Sequence, residues 1–255
     1  MTINKNHNFT KRLQAGDRLC GTIITLDSPA VAELLAETGF DWLFIDAEHS
    51  PMSAVHIQRV LQGAGATPCL VRLAAGDELN IKKALDAGAA GIIAPMVNTA
   101  QQAQRVVSQA KYAPLGTRGV GIARAHGYGL RFQEYLTTAN EQTAVVIQAE
   151  HIEAVKNMEA IAQVDGIDAV LVGPYDLSAS MGRIGQVDHP QVVAAIDQVT
   201  AVCRSAGIPL GIFGVSAAAV RPYIERGYTL IVAGADTLLL GQAAAQLLAQ
   251  VAQIP

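Results

Sequence analysis

Eight short apolar segments, each followed by an amphipathic stretch, constrain the fold of this chain more than any other feature. They lie at residues 21–25, 42–45, 69–73, 91–95, 144–148, 169–172, 210–213 and 230–233. Residues 169–172 are apolar at every position, as expected for a parallel strand buried on both faces. The stretches between them are rich in Ala, Leu, Gln and Val and favour helices, for example at residues 29–37 before Gly39.

This alternation predicts parallel strands joined by right-handed crossovers. Eight such units close into a (β/α)8 TIM barrel, and 255 residues match the usual size of that fold. We therefore predict one α/β barrel domain over residues 1–255. An open doubly wound sheet is the weaker alternative, because no GxGxxG sequence follows the first strand.

Composition limits the partners that we expect. A net charge of −4 and six scattered histidines provide no basic stripe, so we do not expect nucleic acid. The apolar runs are short and residues 1–12 are polar, which predicts a cytoplasmic protein without a membrane segment. The cysteines lack metal-ligand spacing and are predicted to be reduced and structural; they are Cys20, Cys69 and Cys203.

Polar residues follow several predicted strands, at the edge where ligands bind in parallel α/β folds. In chain order they are Asp46, Glu48, His49, Arg72, Gln148, Glu150 and Asp176. Structural explanations exist, such as an ion pair between Asp46 and Arg72, or capping of the next helix by Asp176. The number of polar residues on one rim nevertheless favours a functional site.

The types of these residues point to metal-assisted enolate chemistry. Glu150 and Asp176 would form a hard oxygen site suited to Mg²⁺ or Mn²⁺, whereas zinc prefers softer ligands. Arg72 offers a planar cation to an oxyanion, and His49 can act as a base near neutral pH. A Schiff-base mechanism is disfavoured, because the lysines fall in the N-terminal segment or in predicted helices; they are Lys5, Lys11, Lys82, Lys83, Lys111 and Lys156.

One segment interrupts the alternation of strands and helices. Residues 114–129 (PLGTRGVGIARAHGYG) contain five glycines, two arginines and one histidine, without a helical period. Two interpretations stay open at this point. The segment is either a surface loop without a role or a lid over an anionic ligand.

Seven stretches together resemble the HpcH/HpaI family of metal-dependent class II pyruvate aldolases over nearly the whole chain. They are FIDAEHSP (44–51), VRLA (71–74), KALDAGAAGIIAPMV (83–97), RGVG (118–121), VIQAE (146–150), GPYDLSASMG (173–182) and AGADTLLL (233–240). Their combination, order and spacing are specific, although each alone is weak. The resemblance implies a (β/α)8 barrel that cleaves a 4-hydroxy-2-oxo acid reversibly, through a metal-stabilised enolate, to pyruvate and an aldehyde. The acid would be a hydroxy-oxo dicarboxylate or a 2-keto-3-deoxy sugar acid.

The resemblance also implies roles for individual residues. Glu150 and Asp176 bind the divalent cation, for which Mg²⁺ and Mn²⁺ are the first candidates and Co²⁺ is a further one. Arg72 stabilises the enolate, and His49 takes part in proton transfer through metal-bound water. The catalytic set implied in this way is Asp46, His49, Arg72 and Asp86, and the substrate-binding set is Gln148, Gly173, Pro174, Tyr175, Asp176 and Phe213.

A homohexamer with the C-terminal helix swapped between subunits is implied as well. Asp86 ends a predicted helix at residues 77–86, and therefore lies on the barrel face opposite the strand carboxyl ends. We expect it to reach His49 of a neighbouring subunit and to raise the basicity of that imidazole. Otherwise Asp86 would be an idle solvated residue near a helix end.

Two residues depart from the family pattern. Tyr175 stands where a small residue is usual, and Phe213 stands where a smaller aliphatic residue is common. Both are predicted to tune the choice of aldehyde. Two other functions stay open, an acyl-CoA carbon–carbon lyase of the same superfamily and a non-catalytic barrel that binds a keto acid. The former proteins are typically longer, and the latter would not need His49 as a base.

Overall fold

The structure, a computed structural model, describes residues 6–254, with side chains from residue 9 onward. Its strands are β1 (Leu19–Ile24), β2 (Trp42–Asp46), β3 (Cys69–Arg72), β4 (Gly91–Ala94), β5 (Ala144–Ala149), β6 (Ala169–Val172), β7 (Leu210–Gly214) and β8 (Leu230–Ala235). All pair in parallel in chain order, and β1 also pairs with β8 to close the sheet. The predicted (β/α)8 barrel is confirmed, and each predicted strand overlaps an observed one.

The helices surround the barrel. They are α1 (Asn6–Gln14), α2 (Pro29–Glu37), α3 (Ala54–Gly63), α4 (Glu78–Asp86), α5 (Ala100–Ala110), α6 (Phe132–Gln142), α7 (Ile152–Lys156), α8 (Met158–Ile161), α9 (Pro174–Ser180), α10 (Pro190–Ser205), α11 (Ala217–Glu225) and α12 (Asp236–Val251). A short 3₁₀ helix spans Arg124–His126. Within residues 6–254, no helix combines the length and the apolar character needed to cross a bilayer.

Side chains along each strand alternate between the barrel interior and the surrounding helices. In β2, Trp42 and Phe44 belong to the interior cluster, whereas Leu43 and Ile45 pack with the helices. Interior residues from other strands complete the filling of the barrel, among them Leu70, Ile93, Val146, Leu171 and Val232. The interior is therefore a packed apolar core over most of its length.

Helix α1 covers the amino-terminal end of the barrel, and sequence reasoning did not identify it. Phe9 and Leu13 lie one helical turn apart and are both buried in the interior cluster. The ring of Phe9 lies 6.0 Å from that of Trp42. Gly21 makes room for Trp42, because a Cβ atom at this position would come within 2.6 Å of the indole.

Helix α12 is anchored to the barrel at its first turn. The buried carboxylate of Asp236 accepts hydrogen bonds from the backbone N–H groups of Thr25 and Leu26. Beyond this anchor, none of its side chains is buried. Large apolar side chains of this helix are instead exposed, namely Leu238, Leu239, Leu240, Leu247, Leu248 and Val251.

Replacing Leu13 with alanine tests the role of α1. We expect Leu13→Ala to lower the free energy of unfolding by about 2–5 kcal/mol, because a fully buried side chain leaves a cavity. Urea denaturation at a fixed protein concentration measures this loss. Lys11→Ala is the matched control on the exposed side of the helix, with an expected change within about 0.5 kcal/mol. Equal small effects would show that α1 does not stabilise the barrel.

Candidate active site

Polar residues occupy the interior positions nearest the carboxyl ends of three strands. Each follows an apolar interior residue by two positions, namely Asp46 after Phe44 in β2, Arg72 after Leu70 in β3 and Gln148 after Val146 in β5. Because side chains return to the same face every second residue, these polar groups point into the same end of the barrel. The convergence predicted from the sequence is therefore observed for these three residues.

A bidentate ion pair joins Asp46 and Arg72, which are register partners on neighbouring strands. Arg72 Nε donates to Asp46 Oδ1 at 3.0 Å, and Arg72 Nη2 donates to Asp46 Oδ2 at 2.6 Å. Burial alone would raise the pKa of Asp46, but the hydrogen bonds and charge of Arg72 hold that pKa below its ordinary value. The structural pair considered above thus exists, and it also fixes the guanidinium.

One edge of the Arg72 guanidinium is left without a hydrogen bond within the part of the chain that the structure describes. Arg72 lies over the ring of Phe44, with 5.2 Å between its central carbon and the ring centroid. Its Nη1 atom makes no hydrogen bond to the described residues. Arg72 therefore presents unused donors to the cavity described below.

Glu150 lies just beyond β5 and is almost completely buried. Its Oε1 accepts a hydrogen bond from the backbone N–H of Met96 at 2.7 Å, and its Oε2 accepts one from Gln148 Nε2. Burial is the main cause that raises the pKa of Glu150 to about 7, and the nearby charges of Glu48 and Asp176 add to the increase. The structure therefore holds a carboxylate where its negative charge is unfavourable without a cation.

The turn after β6 brings Asp176 toward Glu150. Gly173 is the N-cap of α9, and this helix has no side-chain cap. A Cβ atom at Gly173 would come within 2.8 Å of Glu150 Cβ, so only glycine fits this turn without movement. Asp176 is exposed in the first turn of α9. The alternative that Asp176 caps this helix is therefore wrong, and Asp176 instead lines the cavity described below.

Glu48 is a further acidic residue of the site that was noted on the rim but not assigned a role. Its Oε2 lies 3.3 Å from Arg72 Nε and 3.7 Å from His49 Nε2. Burial is the main cause that raises the pKa of Glu48, and Asp46 and Asp176 contribute through their charges. In the sequence, Glu48 lies between the predicted catalytic residues Asp46 and His49, and this position could have indicated that it belongs to the site.

A cavity of about 230 Å³ opens at this rim. Predicted site residues line it, namely His49, Arg72, Gln148, Gly173, Pro174, Tyr175, Asp176 and Phe213. Asp46 and Glu150 lie buried against these residues through the hydrogen bonds described above. The structure therefore brings together all of the predicted residues except Asp86.

The carboxylates of this rim fit a hard divalent cation. Among residues 6–254, no three His, Cys, Asp or Glu side chains form a complete ligand cluster. Glu150 and Asp176 supply two carboxylates, and Gln148, which lines the cavity, has a buried Oε1 atom without a hydrogen-bond partner among the described residues. Mg²⁺ and Mn²⁺ suit such a site, because they retain water and accept oxygen atoms of a substrate.

Asp86 lies at the end of α4 on the opposite face of the barrel, as predicted. Its Oδ1 accepts a hydrogen bond from Arg118 Nη2 at 2.8 Å. The Arg118 side chain is buried, lies over Tyr112 and donates through Nη1 to Tyr135. Asp86 is therefore a partly exposed carboxylate held by a buried cation.

Residues 114–129 lie on that same face. They follow α5, which ends at the amino-terminal end of the barrel, and Arg124 Nη1 donates to the carbonyl of Ala87 just before β4. The segment therefore does not form a lid over the rim of its own barrel. Lys111 is also on this face, just after α5, where it donates to the carbonyls of Asn140 and Thr143.

The other lysines in the described range lie in helices. They are Lys11 in α1, Lys82 and Lys83 in α4 and Lys156 in α7, while Lys5 lies outside the described residues. Lys111 is buried and its pKa is lowered by that burial, but it is far from the rim at the other end of the barrel. None of these amines lines the cavity beside Arg72 and Asp176.

Comparison with known proteins gives consistent matches over nearly the whole chain. A sequence model of the family described as HpcH/HpaI aldolase/citrate lyase matches residues 20–243. A hydroxypyruvate/pyruvate aldolase from Cupriavidus necator is 39% identical over 254 residues, which cover 98% of this chain and 94% of the relative. A 4-hydroxy-2-oxo-heptane-1,7-dioate aldolase from Shigella flexneri is 40% identical over 248 residues, which cover 96% of this chain and 92% of the relative.

A solved structure of the same family also matches this chain over nearly its whole length. The crystal structure of an HpcH/HpaI aldolase/citrate lyase family protein from Burkholderia cenocepacia matches with a TM-score of 0.93 and 37% identity. The match covers 97% of this chain and 100% of that protein. The similarity thus includes both the barrel and the stretches that build the rim.

The raised pKa of Glu150 predicts how the stability of the cation-free protein depends on pH. Because the folded-state pKa is about 7, deprotonation should destabilise the wild type as pH rises from about 4.5 to about 7. Glu150→Gln lacks this penalty, so it should be more stable than the wild type by about 3 kcal/mol at pH 8, with the difference vanishing near pH 4.5. Urea denaturation in the presence of a chelator measures both proteins.

The control is Glu141→Gln, a substitution at an exposed position near the end of α6. It should match the wild type across the pH range. A constant difference between Glu150→Gln and the wild type at every pH would contradict the assigned pKa.

Proposed function

This chain belongs to the HpcH/HpaI aldolase/citrate lyase family and is a carbon–carbon lyase, and from that premise we propose that it is a metal-dependent pyruvate aldolase. Its reaction would be the reversible cleavage of a 4-hydroxy-2-oxo acid to pyruvate and an aldehyde. The observation that carries this proposal is the meeting of Arg72, already fixed by Asp46, with Glu150 and Asp176 at one rim. The resemblance predicted from seven stretches of sequence is confirmed by the family match.

Glu150 and Asp176 would hold the divalent cation. Mg²⁺ and Mn²⁺ are the first candidates, and Co²⁺ is a further one. When bound, such a cation supplies Lewis-acid stabilisation of the enolate. The buried position of Glu150 supports this assignment, because a cation would remove the unfavourable interaction among the carboxylates.

Arg72 would stabilise the negative charge that develops on the enolate oxygen. Its Nε and Nη2 atoms are used by Asp46, so Nη1 remains available to a substrate in the cavity. Since the ion pair fixes the guanidinium before a substrate binds, little reorganisation is needed as charge develops.

His49 would accept the proton of the 4-hydroxyl group. Its side chain lines the cavity and is 64% exposed, so the imidazole is accessible to a substrate. As the proton leaves, the bond between C3 and C4 breaks to give the aldehyde and the enolate. The enolate then takes up a proton at C3 and becomes pyruvate.

The remaining residues of the cavity would bind the two halves of the substrate. We assign Gln148, Gly173 and Pro174 to the keto acid, because they lie beside Glu150 and Arg72. Tyr175, which is half exposed, and Phe213 would set the choice of aldehyde. Donors other than pyruvate also enter the proposal, since a relative is named a hydroxypyruvate/pyruvate aldolase.

We further propose a homohexamer with shared active sites and with α12 swapped between subunits. The exposed leucines of α12 support this assembly, because large apolar side chains gain stability when another subunit covers them. Asp86 supports it too. This carboxylate is 29% exposed and is held in place by Arg118, so it can meet His49 of a neighbouring subunit.

Pyruvate release from a panel of 4-hydroxy-2-oxo acids tests the proposed activity. We expect turnover with Mg²⁺ or Mn²⁺, loss of turnover after chelation and recovery when the cation returns. Glu150→Gln should lose turnover while keeping its circular dichroism spectrum, and Glu141→Gln should behave as the wild type. Cleavage at the wild-type rate by the chelator-stripped protein would refute the metal-dependent mechanism.

Replacing Arg72 with lysine tests the assigned role of the guanidinium. We expect kcat to fall by about 10²- to 10³-fold, because lysine cannot keep the bidentate pair with Asp46 and also offer a donor to the enolate. Exchange of the pyruvate methyl protons in D₂O, followed by NMR, should slow in parallel, since it also passes through the enolate. Arg221→Lys on the exposed side of α11 is the control. A near-normal kcat for Arg72→Lys would contradict the role.

Subunit mixing tests the shared site. His49→Ala and Asp86→Ala should each be inactive, whereas exchange of subunits between them should restore a fraction of the activity. Some sites in a mixed assembly would combine the wild-type His49 of one subunit with the wild-type Asp86 of another. No recovery after exchange has been verified by mass spectrometry, or a fully active monomer, would show that one chain builds the whole site.

A further inference from the structure

Glu48 has a buried carboxylate oxygen without a hydrogen-bond partner among the described residues. Its Oε2 atom is inaccessible to solvent and receives no hydrogen bond. Such an atom is costly, because folding has removed its water without replacing it. The backbone N–H of the same residue is satisfied, since it donates to Asp46 Oδ1 at 3.0 Å.

The neighbouring cations do not satisfy this oxygen. Arg72 Nε is 3.3 Å away, but its single hydrogen is already donated to Asp46 Oδ1 at 3.0 Å. His49 Nε2 is 3.7 Å away, which is too far for a hydrogen bond. Arg105 lines a neighbouring cavity together with Glu48, yet within the described residues the two form no ion pair.

Charge at the rim gives a second reason to look for a missing partner. The rim carries four carboxylates, those of Asp46, Glu48, Glu150 and Asp176, and Arg72 is the arginine that lines the cavity beside them. Asp46 takes both of the guanidinium's hydrogen bonds. A positive ion held by Glu150 and Asp176 would therefore add a counter-charge for Glu48.

A third observation concerns an amide beside these carboxylates. Gln148 is only 3% exposed, lines the cavity and donates through Nε2 to Glu150, while its Oε1 atom has no hydrogen-bond partner among the described residues. The unpartnered oxygen atoms of Glu48 and Gln148 therefore lie on residues that directly adjoin Arg72 or Glu150. Both require donors that a hydrated cation or its ligands would bring.

We propose that Glu48 is the outer carboxylate of the cation site. It contributes its charge and accepts hydrogen bonds from the hydration shell of the cation, without replacing Glu150 or Asp176 as a ligand. The inference rests on the proposed function, because it assumes that Glu150 and Asp176 bind a divalent cation. Glu48 is then a positioning residue, which raises cation affinity and orients the ion relative to Arg72.

A purely structural role for Glu48 predicts a different effect of its replacement on cation binding. If Glu48 only balanced the charge of Arg72 and His49, its replacement would disturb those side chains and leave cation affinity unchanged. Cation binding in the absence of substrate therefore separates the two roles. Activity alone would not, since both roles predict slower turnover.

The experiment measures Mn²⁺ binding to the chelator-stripped full chain by electron paramagnetic resonance of free Mn²⁺. Glu48→Gln keeps the shape of the side chain and removes its charge, and it should weaken binding by about 10- to 100-fold. Glu48→Asp keeps the charge on a shorter side chain and should recover part of that loss. Glu141→Gln, at an exposed position on α6, should bind as the wild type does. Circular dichroism verifies that each variant is folded.

Glu150→Gln separates failure of this inference from failure of the proposed function. If the wild type binds no Mn²⁺, or if Glu150→Gln binds it as well as the wild type, the proposed cation site is wrong. If Glu150→Gln loses binding while Glu48→Gln stays within about 2-fold of the wild type, the role of Glu48 is overturned and the cation site stands. Should Glu48→Gln fail to fold, equal affinities for Glu48→Asp and the wild type would overturn the role, because a shortened side chain displaces the charge.

Discussion

In a closed parallel barrel, the side chains of each strand alternate between an enclosed interior and the surrounding helices, and the active site depends on this constraint. Interior positions must be apolar over most of the length of the barrel, because a charge there would lose its water without gaining a partner. Phe44 and Leu70 occupy such positions. Two residues further along, at the open end, the same faces carry Asp46 and Arg72, which pair across neighbouring strands. Alternation thus determines both where the apolar core ends and which side chains meet beyond it.

The rim concentrates negative charge at a cost to the stability of the empty protein. Burial and neighbouring carboxylates raise the pKa of Glu150 to about 7, which shows that its charged form is unfavourable without a counter-ion. Gly173 allows the turn after β6 to approach Glu150, since any side chain there would collide with it. These features suit a site whose charge is balanced when a cation binds. Function at the expense of stability is common where a site must hold like charges together.

The face of the barrel opposite the rim carries an ion pair between Arg118 and Asp86. Arg118 is buried between aromatic side chains and holds Asp86 in a fixed position at the end of α4. A buried arginine that binds a partly exposed carboxylate is a costly arrangement for a residue with no partner outside its own barrel. Together with the exposed leucines of α12, this pair supports the proposed assembly with other subunits. The proposed shared site links the two ends of the barrel through assembly.

Local patterns in the sequence were enough to predict the eight strands and the polar residues of the rim, because hydrophobic periodicity and turn residues act over a few positions. Helix α1 was missed, since Phe9 and Leu13 are apolar positions within a polar segment and are recognisable as core only when docked beneath Trp42. The capping role considered for Asp176 was wrong for a related reason, as the turn from β6 places this residue at the cavity instead. The sequence by itself determined the barrel and the kinds of residue on its rim. Only the tertiary structure decided which carboxylates are paired, because those contacts join groups that folding brings together from different strands. It also decided that Glu48 is left without a hydrogen-bond donor among the described residues.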